Sequence, residues 1–276
     1  MKGAATGNLM EQTFNRLRED GKTALIPFIT VGDPDPDTTV EILIQLEQAG
    51  ADIVELGVPY SDPLADGPVI QRASERALVH GITVEACLEV AQKARARGVT
   101  LPFVLFTYYN PVLQAGLETF FARLEQAGIS GLIIPDLPFE ESEEVLGLAD
   151  DHHVMLVPLV APTSNDRISM ILSRARGFVY CVSSLGVTGE RSDFHRNVDE
   201  FISMVKSKTE LPVAVGFGIS SGEQVRRFAG LCDGVVVGSA IVRKIEENVP
   251  LLRNPDSREQ GLLQIRDFVA QLKIQK

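Results

Sequence analysis

Short apolar segments alternate with amphipathic segments along almost the whole chain. The apolar segments are rich in β-branched residues, which is typical of strands, and they predict strands at residues 24–30, 53–56, 103–108, 132–135, 154–160, 178–182, 213–217 and 235–237. The segments between them repeat their apolar residues with helical spacing and predict helices at residues 38–49, 70–79, 84–97, 117–127, 142–150, 166–174, 199–208, 222–228 and 240–247. Further helices are predicted before the first strand, at 9–18, and after the last, at 258–272.

Continuously apolar strands separated by amphipathic helices indicate a parallel sheet that is buried on both faces. The competing architecture is an open doubly wound sheet, in which a G-x-G-x-x-G motif would follow the first strand. Residues 30–34 instead read Thr-Val-Gly-Asp-Pro, and no G-x-x-x-x-G-K-[ST] loop occurs. We therefore predict an α/β fold, a single (β/α)8 TIM barrel domain over residues 1–276, with an extra N-terminal helix and additional helices.

Composition narrows the class of partner and compartment. Hydrophobic residues make up 45% of the chain and charged residues 23%, and the formal net charge is −11. An acidic chain without an apolar run of about 20 residues predicts neither a nucleic-acid nor a membrane partner. Three cysteines without C-x-x-C spacing favour a reducing compartment. We expect a cytoplasmic protein, or one of the plastid stroma if a transit segment was removed.

Two carboxylates follow one another at the end of the second predicted strand. Glu55 lies inside an apolar run, where poor solvation should raise its pKa and suit it to proton transfer near neutral pH. Asp66 follows on a loop with several prolines, on the rim where barrel enzymes carry their chemistry. The alternatives are a salt bridge inside the barrel for Glu55 and ordinary turn chemistry for Asp66.

Glycine-rich loops follow the last three predicted strands, at residues 186–189, 216–220 and 238–239. Glycines allow backbone N–H groups to approach an anion, and a helix N-terminus adds a favourable dipole. We predict a phosphate site there, the alternative being ordinary turn glycines. No histidine or cysteine spacing predicts a metal site. Tyr108, Tyr109 and Asn110 are expected to end the third strand, and a tyrosine there, like Tyr180, could reach the barrel mouth or pack in the core.

Residues 54–67, Val-Glu-Leu-Gly-Val-Pro-Tyr-Ser-Asp-Pro-Leu-Ala-Asp-Gly, resemble the signature of the tryptophan synthase alpha-subunit family. Supporting segments lie at residues 27–33, 109–111, 134–138, 161–163, 186–189, 216–220 and 238–242. The resemblance implies a retro-aldol cleavage of indole-3-glycerol phosphate to indole and glyceraldehyde 3-phosphate. It also implies that this chain needs no cofactor.

The resemblance also implies residue roles. Glu55 would be the acid/base that protonates indole C3 and takes the glycerol hydroxyl proton, and Asp66 would accept a hydrogen bond from the indole N–H. Thr188 would lie on a loop that closes over the substrate. The other substrate-binding residues would be Phe28 and Tyr180 at the indole, and Gly189, Gly218, Gly238 and Ser239 at the phosphate.

A partner is implied as well: the pyridoxal-phosphate-dependent beta subunit, which receives indole in an alpha2beta2 complex. The expected contact residues are Pro59, Asp62, Leu64, Asn110 and Pro111. Three alternatives remain open from the sequence. They are a free-standing lyase that releases indole, a catalytically silent subunit that only activates its partner, and a different phosphosugar enzyme such as an isomerase.

Overall fold

The computed structural model describes residues 7–164, 167–182 and 195–273. Within these residues the chain forms one sheet of nine parallel strands in the order β5-β4-β3-β2-β1-β9-β8-β7-β6. The strands are β1 Ala24–Thr30, β2 Val54–Gly57, β3 Phe103–Phe106, β4 Ile129–Ile133, β5 Met155–Leu156, β6 Leu159–Val160, β7 Val179–Val182, β8 Val213–Gly216 and β9 Gly234–Val237.

The two outermost strands of this order, β5 and β6, are two halves of one strand position. The Val157 N–H donates to the Leu132 carbonyl at 2.9 Å, and the Pro158 carbonyl accepts from the Tyr180 N–H at 3.0 Å. The same short segment therefore bonds to β4 on one side and to β7 on the other, which closes the sheet into a barrel. Because proline has no N–H, the ladder is interrupted at Pro158. The single strand predicted at 154–160 is wrong in this respect.

The helices cover the outside of the barrel and begin at regular caps. Asn8 and Asp35 each accept a hydrogen bond from the first turn of the helix that follows, as N-cap side chains do. Among the described residues the α-helices are α1 Leu9–Glu19, α2 Pro36–Gln48, α3 Pro68–Leu78, α4 Val84–Ala96, α5 Tyr109–Ala115, α6 Leu117–Gln126, α7 Glu143–Asp151, α8 Ile168–Ser173, α9 His195–Lys206, α10 Gly222–Ala229, α11 Ser239–Leu252 and α12 Arg258–Leu272.

The chain departs from the predicted elements after β3. That strand ends at Phe106, and Tyr109 begins the unpredicted helix α5 instead of ending the strand. The Tyr109 N–H donates to the Asp136 carboxylate at 2.9 Å, and Pro111 lies in the first turn, where its missing N–H is not needed. The aromatic residues continue the apolar pattern of the strand, so the pattern alone does not reveal its end. β4 likewise occupies 129–133 rather than the predicted 132–135.

Helix α1 closes the N-terminal end of the barrel. Met10 and Phe14 are buried in the same cluster as residues from inside the strands, and the Phe14 and Phe178 ring centroids are 5.5 Å apart. The Asn8 side chain donates to the Ser130 carbonyl at the start of β4, at 2.7 Å. With this end filled by apolar side chains, the open end of the barrel is the C-terminal one, where the βα loops lie.

Arg76 of α3 ties three elements together near the barrel mouth. Its guanidinium donates to both carboxylate oxygens of the buried Asp33 after β1, at 2.8 Å each, and to Glu246 of α11 at 2.7 Å. Burial raises the pKa of Asp33, whereas the hydrogen bonds from Arg72 and Arg76 hold the pKa of Glu246 at about 2. This network holds α3 and α11 beside the first βα loop.

The structure shows where the cysteines lie and whether any described helix could cross a membrane. Cys87, Cys181 and Cys232 are all buried as free thiols, and burial raises the pKa of each. They act as small core residues and not as reactive groups. Across the described ranges, no helix combines the length and the apolar character that crossing a bilayer requires.

Candidate active site

A cavity of about 290 Å³ opens at the C-terminal end of the barrel. It contains both predicted carboxylates, Glu55 and Asp66, and it also contains glycines from the loops predicted to bind phosphate. The residues that line it are Phe28, Glu55, Ala65, Asp66, Ile70, Phe106, Pro135, Leu159, Val160, Ala161, Tyr180, Val182, Gly216, Gly218, Ile219, Val236, Gly238 and Ser239. The two carboxylates and the glycine loops after β8 and β9 therefore share one end of the barrel, as predicted, while the third predicted loop, 186–189, lies outside the described residues.

Glu55 projects into this cavity from β2, in register with Phe28 of β1. The residue is 1% exposed, and its Oε1 atom has no hydrogen-bond partner in the described part of the chain. Burial raises the pKa of this carboxyl from 4.5 to about 8. The salt bridge considered from the sequence is not formed by the described residues. A carboxyl with this pKa is protonated at neutral pH and can both donate and recover a proton.

Asp66 lies on the loop between β2 and α3. The Tyr108 hydroxyl donates to its Oδ2 atom at 3.2 Å, and the Gln71 side chain donates to its backbone carbonyl at 2.8 Å. Burial raises the pKa of Asp66 to about 6, and the hydrogen bond from Tyr108 acts in the opposite direction. Asp66 is therefore largely ionised at pH 7, while Glu55 is largely protonated. The two carboxyls are suited to different tasks in the same cavity.

Of the glycines predicted to hold phosphate, Gly218 and Gly238 lie on the β8 and β9 sides of the cavity. Gly218 has a φ of +70°, a conformation that favours glycine, and Gly238 is the N-cap of α11. Ser239 is the first residue of that helix. The helix N-terminus offers backbone N–H groups and a favourable dipole to an anion. No Lys or Arg is present among the described residues of the cavity lining.

Two aromatic side chains shape the apolar part of the cavity. The Phe28 ring meets Phe106 edge-on, with centroids 5.7 Å apart. Tyr180 lies over Gly216 of β8, where a Cβ atom would come within 2.5 Å of the tyrosine hydroxyl. Gly57 likewise leaves room for Phe28, because a Cβ there would come within 2.4 Å of the ring. Burial, and then the nearby Glu55 charge, raise the pKa of the Tyr180 phenol.

Several lining residues were not found by sequence reasoning. They are apolar. Ile70 comes from α3, and the others come from strands or from the loops that follow them: Phe106, Pro135, Leu159, Val160, Ala161, Val182, Ile219 and Val236. The only signal that could have found them is their position next to a predicted strand end. That signal also selects many core residues, so the barrel register was needed to separate the two groups.

Tyr108 belongs to the site although it was weighed equally as a core residue. Its hydroxyl accepts from the Ala65 N–H at 3.0 Å and donates to Asp66. Thr188 and Gly189, the predicted closing-loop and phosphate residues, lie outside the described residues. Their roles stay predictions.

The five residues expected to contact a partner lie on the rim and not in the cavity. Pro59, Asn110 and Pro111 line a separate surface groove between the β2 loop, α4 and α5. Leu64 is 81% exposed, and Asp62 accepts a hydrogen bond from the Ser61 hydroxyl at 2.7 Å.

Comparison with known proteins gives a family. The model of the family described as "Tryptophan synthase alpha chain" matches residues 14–274. The chain belongs to the tryptophan synthase alpha chain family. It is 53% identical to the tryptophan synthase alpha chain of Halalkalibacterium halodurans over 251 residues, which cover 91% of this chain and 95% of the relative. It is 52% identical to that of a Geobacillus species over 251 residues, 91% of this chain and 95% of the relative.

Solved structures agree with this assignment. A tryptophan synthase structure from Mycobacterium tuberculosis superposes with a TM-score of 0.86 and 36% identity, covering 96% of this chain and 97% of that chain. The tryptophan synthase subunit alpha of Legionella pneumophila gives a TM-score of 0.84 and 35% identity, covering 95% and 98%. The predicted TIM barrel and the predicted family are therefore confirmed.

Membership of the tryptophan synthase alpha chain family carries two further conclusions. Alpha chains catalyse the lyase half-reaction of tryptophan synthase, and they work with a beta chain, to which the pyridoxal phosphate belongs. In the ranges that the structure describes, no three His, Cys, Asp or Glu side chains converge as metal ligands would.

Proposed function

We propose that the cavity binds indole-3-glycerol phosphate and cleaves it to indole and glyceraldehyde 3-phosphate. One observation carries this proposal. Glu55, a buried carboxyl without a hydrogen-bond partner among the described residues, shares one cavity with a second carboxyl and with a glycine-capped helix N-terminus. The phosphate would bind at Gly218, Gly238 and Ser239, and Gly189 would add to this site. The indole ring would lie between Phe28 and Tyr180.

The proposed reaction begins with Glu55 as an acid. The Glu55 carboxyl, protonated at neutral pH, gives its proton to indole C3. Positive charge then develops on the ring nitrogen, and the Asp66 carboxylate accepts a hydrogen bond from that N–H. A carboxylate aimed at the developing charge, in a cavity with largely apolar walls, stabilises it more strongly than water would.

In the second step, Glu55 acts as a base. The ionised Glu55 takes the proton of the glycerol hydroxyl next to the ring, and the C–C bond to indole C3 breaks. The bond electrons return to the ring and restore neutral indole, while the hydroxyl carbon becomes the aldehyde. Glu55 is then protonated again, as at the start, so the cycle needs no cofactor in this chain.

The apolar walls of the cavity support an indole-sized substrate over a small phosphosugar. Of the residues that line the cavity, most are apolar or aromatic, and the polar groups lie at the carboxyls and at the glycine loops. This arrangement matches a substrate with a large apolar ring at one end and a phosphate at the other. An isomerase acting on a small phosphosugar would not need so large an apolar wall.

We further propose that the chain works in an alpha2beta2 complex in the cytoplasm and that residues 1–276 form one domain. The exposed Leu64 and the groove at Pro59 and Asn110 support a partner surface on the same rim as the cavity. Indole released at this rim could pass directly to a beta chain. Closure of the site by Thr188 is part of the same proposal.

The function is tested by incubating the purified chain with indole-3-glycerol phosphate and measuring both products. Indole and glyceraldehyde 3-phosphate should appear in equal amounts, and addition of a beta subunit should raise the rate about ten-fold or more, or about 1.4 kcal/mol of barrier. Full activity without any activation would favour a free-standing lyase instead. Absence of both products with and without the beta subunit would refute the proposal.

A further inference from the structure

Tyr108 makes the closest polar contact to the Asp66 carboxylate in the described part of the chain. Its hydroxyl oxygen accepts from the Ala65 N–H at 3.0 Å, and the hydroxyl lies 3.2 Å from Asp66 Oδ2. Because the amide approaches the oxygen from the Ala65 side, the phenolic proton is free to point at the carboxylate. The Tyr108 side chain therefore forms hydrogen bonds with both the backbone and the carboxylate of the same loop.

We propose that Tyr108 is a positioning residue, which holds one oxygen of Asp66 so that the other oxygen meets the N–H of the substrate ring. The inference rests on the proposed function of the cavity and adds a residue to it. Tyr108 acts through Asp66 and does not line the cavity itself. Without this contact the carboxylate could rotate away from the place where charge develops, and a misdirected acceptor contributes little to catalysis.

Contacts that do not involve Asp66 hold the ring of Tyr108 in place. It stacks on the ring of Tyr60, with centroids 4.9 Å apart and an angle of 27° between the planes. The Asn110 side chain donates to the Tyr60 hydroxyl at 3.4 Å. Tyr108 is 3% exposed and precedes α5, whose first residue is bonded to Asp136. The phenol is thus fixed by stacking, by burial and by the start of a helix.

The charges around the two residues also favour a hydrogen bond from the Tyr108 phenol to an ionised Asp66. Burial and the Asp66 charge raise the pKa of the Tyr108 phenol, so it remains a donor at every working pH. A donor to a carboxylate favours its ionised form. The other titratable groups around are Glu55 and Tyr180, which line the cavity from β2 and β7, and Asp136, which faces Tyr108. The hydrogen bond from Tyr108 is the contact that favours ionised Asp66.

The decisive variant is Tyr108→Phe, which removes the hydroxyl and keeps the ring. We expect kcat/KM for indole-3-glycerol phosphate to fall about ten-fold near pH 7, the size expected for one lost hydrogen bond to a carboxylate. The acidic limb of its pH profile should move to higher pH, because Asp66 becomes harder to ionise. Inhibition by glyceraldehyde 3-phosphate should not change, because the phosphate site is on other loops. A purely structural role would not move the acidic limb.

Tyr109→Phe is the matched control. It removes a hydroxyl from the neighbouring residue, which lies near Glu141 and Glu144 and not near Asp66. The acidic limb should stay in place in this variant. Tyr60→Leu is a second test that leaves the Tyr108 hydroxyl intact, and it should move the limb in the same direction by a smaller amount. Unmoved limbs in both Tyr108→Phe and Tyr60→Leu would overturn the inference.

A measurement independent of turnover separates this inference from the proposed function. The Asp66 carboxyl carbon can be titrated by NMR in ¹³C-aspartate-labelled protein, with Asp66→Asn to assign the signal. Its pKa should be higher in Tyr108→Phe than in the unchanged chain, and an unchanged value would refute the role of Tyr108. If the unchanged chain released no indole, the proposed function would fail. The titration would still show whether the Tyr108 hydroxyl lowers the pKa of Asp66.

Discussion

Exchange of Glu55 for glutamine tests the central feature of the site, a buried carboxyl that has no partner in the part of the chain that the structure describes. Glutamine has nearly the same shape but cannot transfer a proton. The loss of a general acid/base costs about 10²–10⁴-fold in rate. Because Glu55 is proposed to act in both proton steps, we expect indole release by Glu55→Gln to fall by at least about 10³-fold. Phosphate-ligand binding should survive, because Gly218 and Gly238 lie on other loops.

The same exchange should stabilise the fold at neutral pH. An acid whose pKa is raised by folding, here from 4.5 to about 8, binds its proton more tightly in the folded state. Folding stability therefore decreases as the pH rises from about 4.5 to about 8, and the cost of burying Glu55 is on the order of 3 kcal/mol at pH 7. Glutamine carries no charge at any of these pH values and avoids that cost.

Two assays check this prediction. Indole release is followed with the complete complex, and the free energy of unfolding is measured by urea denaturation between pH 4.5 and pH 8. The stability of Glu55→Gln should exceed that of the unchanged chain by an amount that increases with pH. Glu89→Gln, the same exchange at an exposed position of α4, should change neither quantity. Equal turnover in Glu55→Gln, or parallel stability curves for the two chains, would refute the reasoning.

The remaining predictions concern pH and space in the barrel. kcat/KM should follow a bell-shaped profile, falling below about pH 6 as Asp66 takes up a proton and above about pH 8 as Glu55 loses one, and Asp66→Asn should lose most activity at every pH. Limbs that lie at the ordinary carboxyl pKa values would contradict this. Gly216→Ala should destabilise the fold by about 1–3 kcal/mol and raise KM, because the new methyl group displaces the Tyr180 hydroxyl. Gly147→Ala, in a helix with open space, should stabilise by up to about 1 kcal/mol, and urea denaturation compares the two.

A trade-off follows from these predictions. The two carboxyls proposed to carry the chemistry are also costly to bury, and their positions depend on contacts elsewhere at the mouth. There Asp33 and Glu246 converge on Arg76 and hold α3 beside α11. Helix α3 follows the loop of Asp66, and α11 begins at Ser239. The two sides of the cavity are thus joined by ion pairs outside it, which resist the separation of the carboxyls from the proposed phosphate site.

The alternation of apolar strands and amphipathic helices determined most of the architecture. Burial on both faces makes most side chains along a parallel strand apolar, so each strand can be recognised from its own segment of sequence. The grouping of Glu55 and Asp66 could also be predicted, because Glu55 lies in the second strand and Asp66 is on the loop that follows it. Since all parallel strands end at the same rim, the glycine loops of the last strands were expected opposite them, and the loops after β8 and β9 line the same cavity.

Contacts between distant segments could not be predicted in this way. The division of the closing strand at Pro158 depends on its bonding to β4 on one side and to β7 on the other. The helix α5 depends in part on the bond from Tyr109 to Asp136, which lies 27 residues further along the chain. The local pattern of apolar and polar residues carries no information about such partners. Each segment has the same pattern whether or not the distant contact forms.

The tertiary structure alone decided the surroundings of the reactive groups. The sequence places the carboxyl of Glu55 among apolar residues. Its pKa of about 8 depends on complete burial by other strands. Tyr108 could have packed in the core or faced the mouth, and its bond to Asp66 spans 42 residues. Strand identity is a property of a short segment. The electrostatics of a site come from every element that excludes water from it, and those elements meet only when the barrel closes.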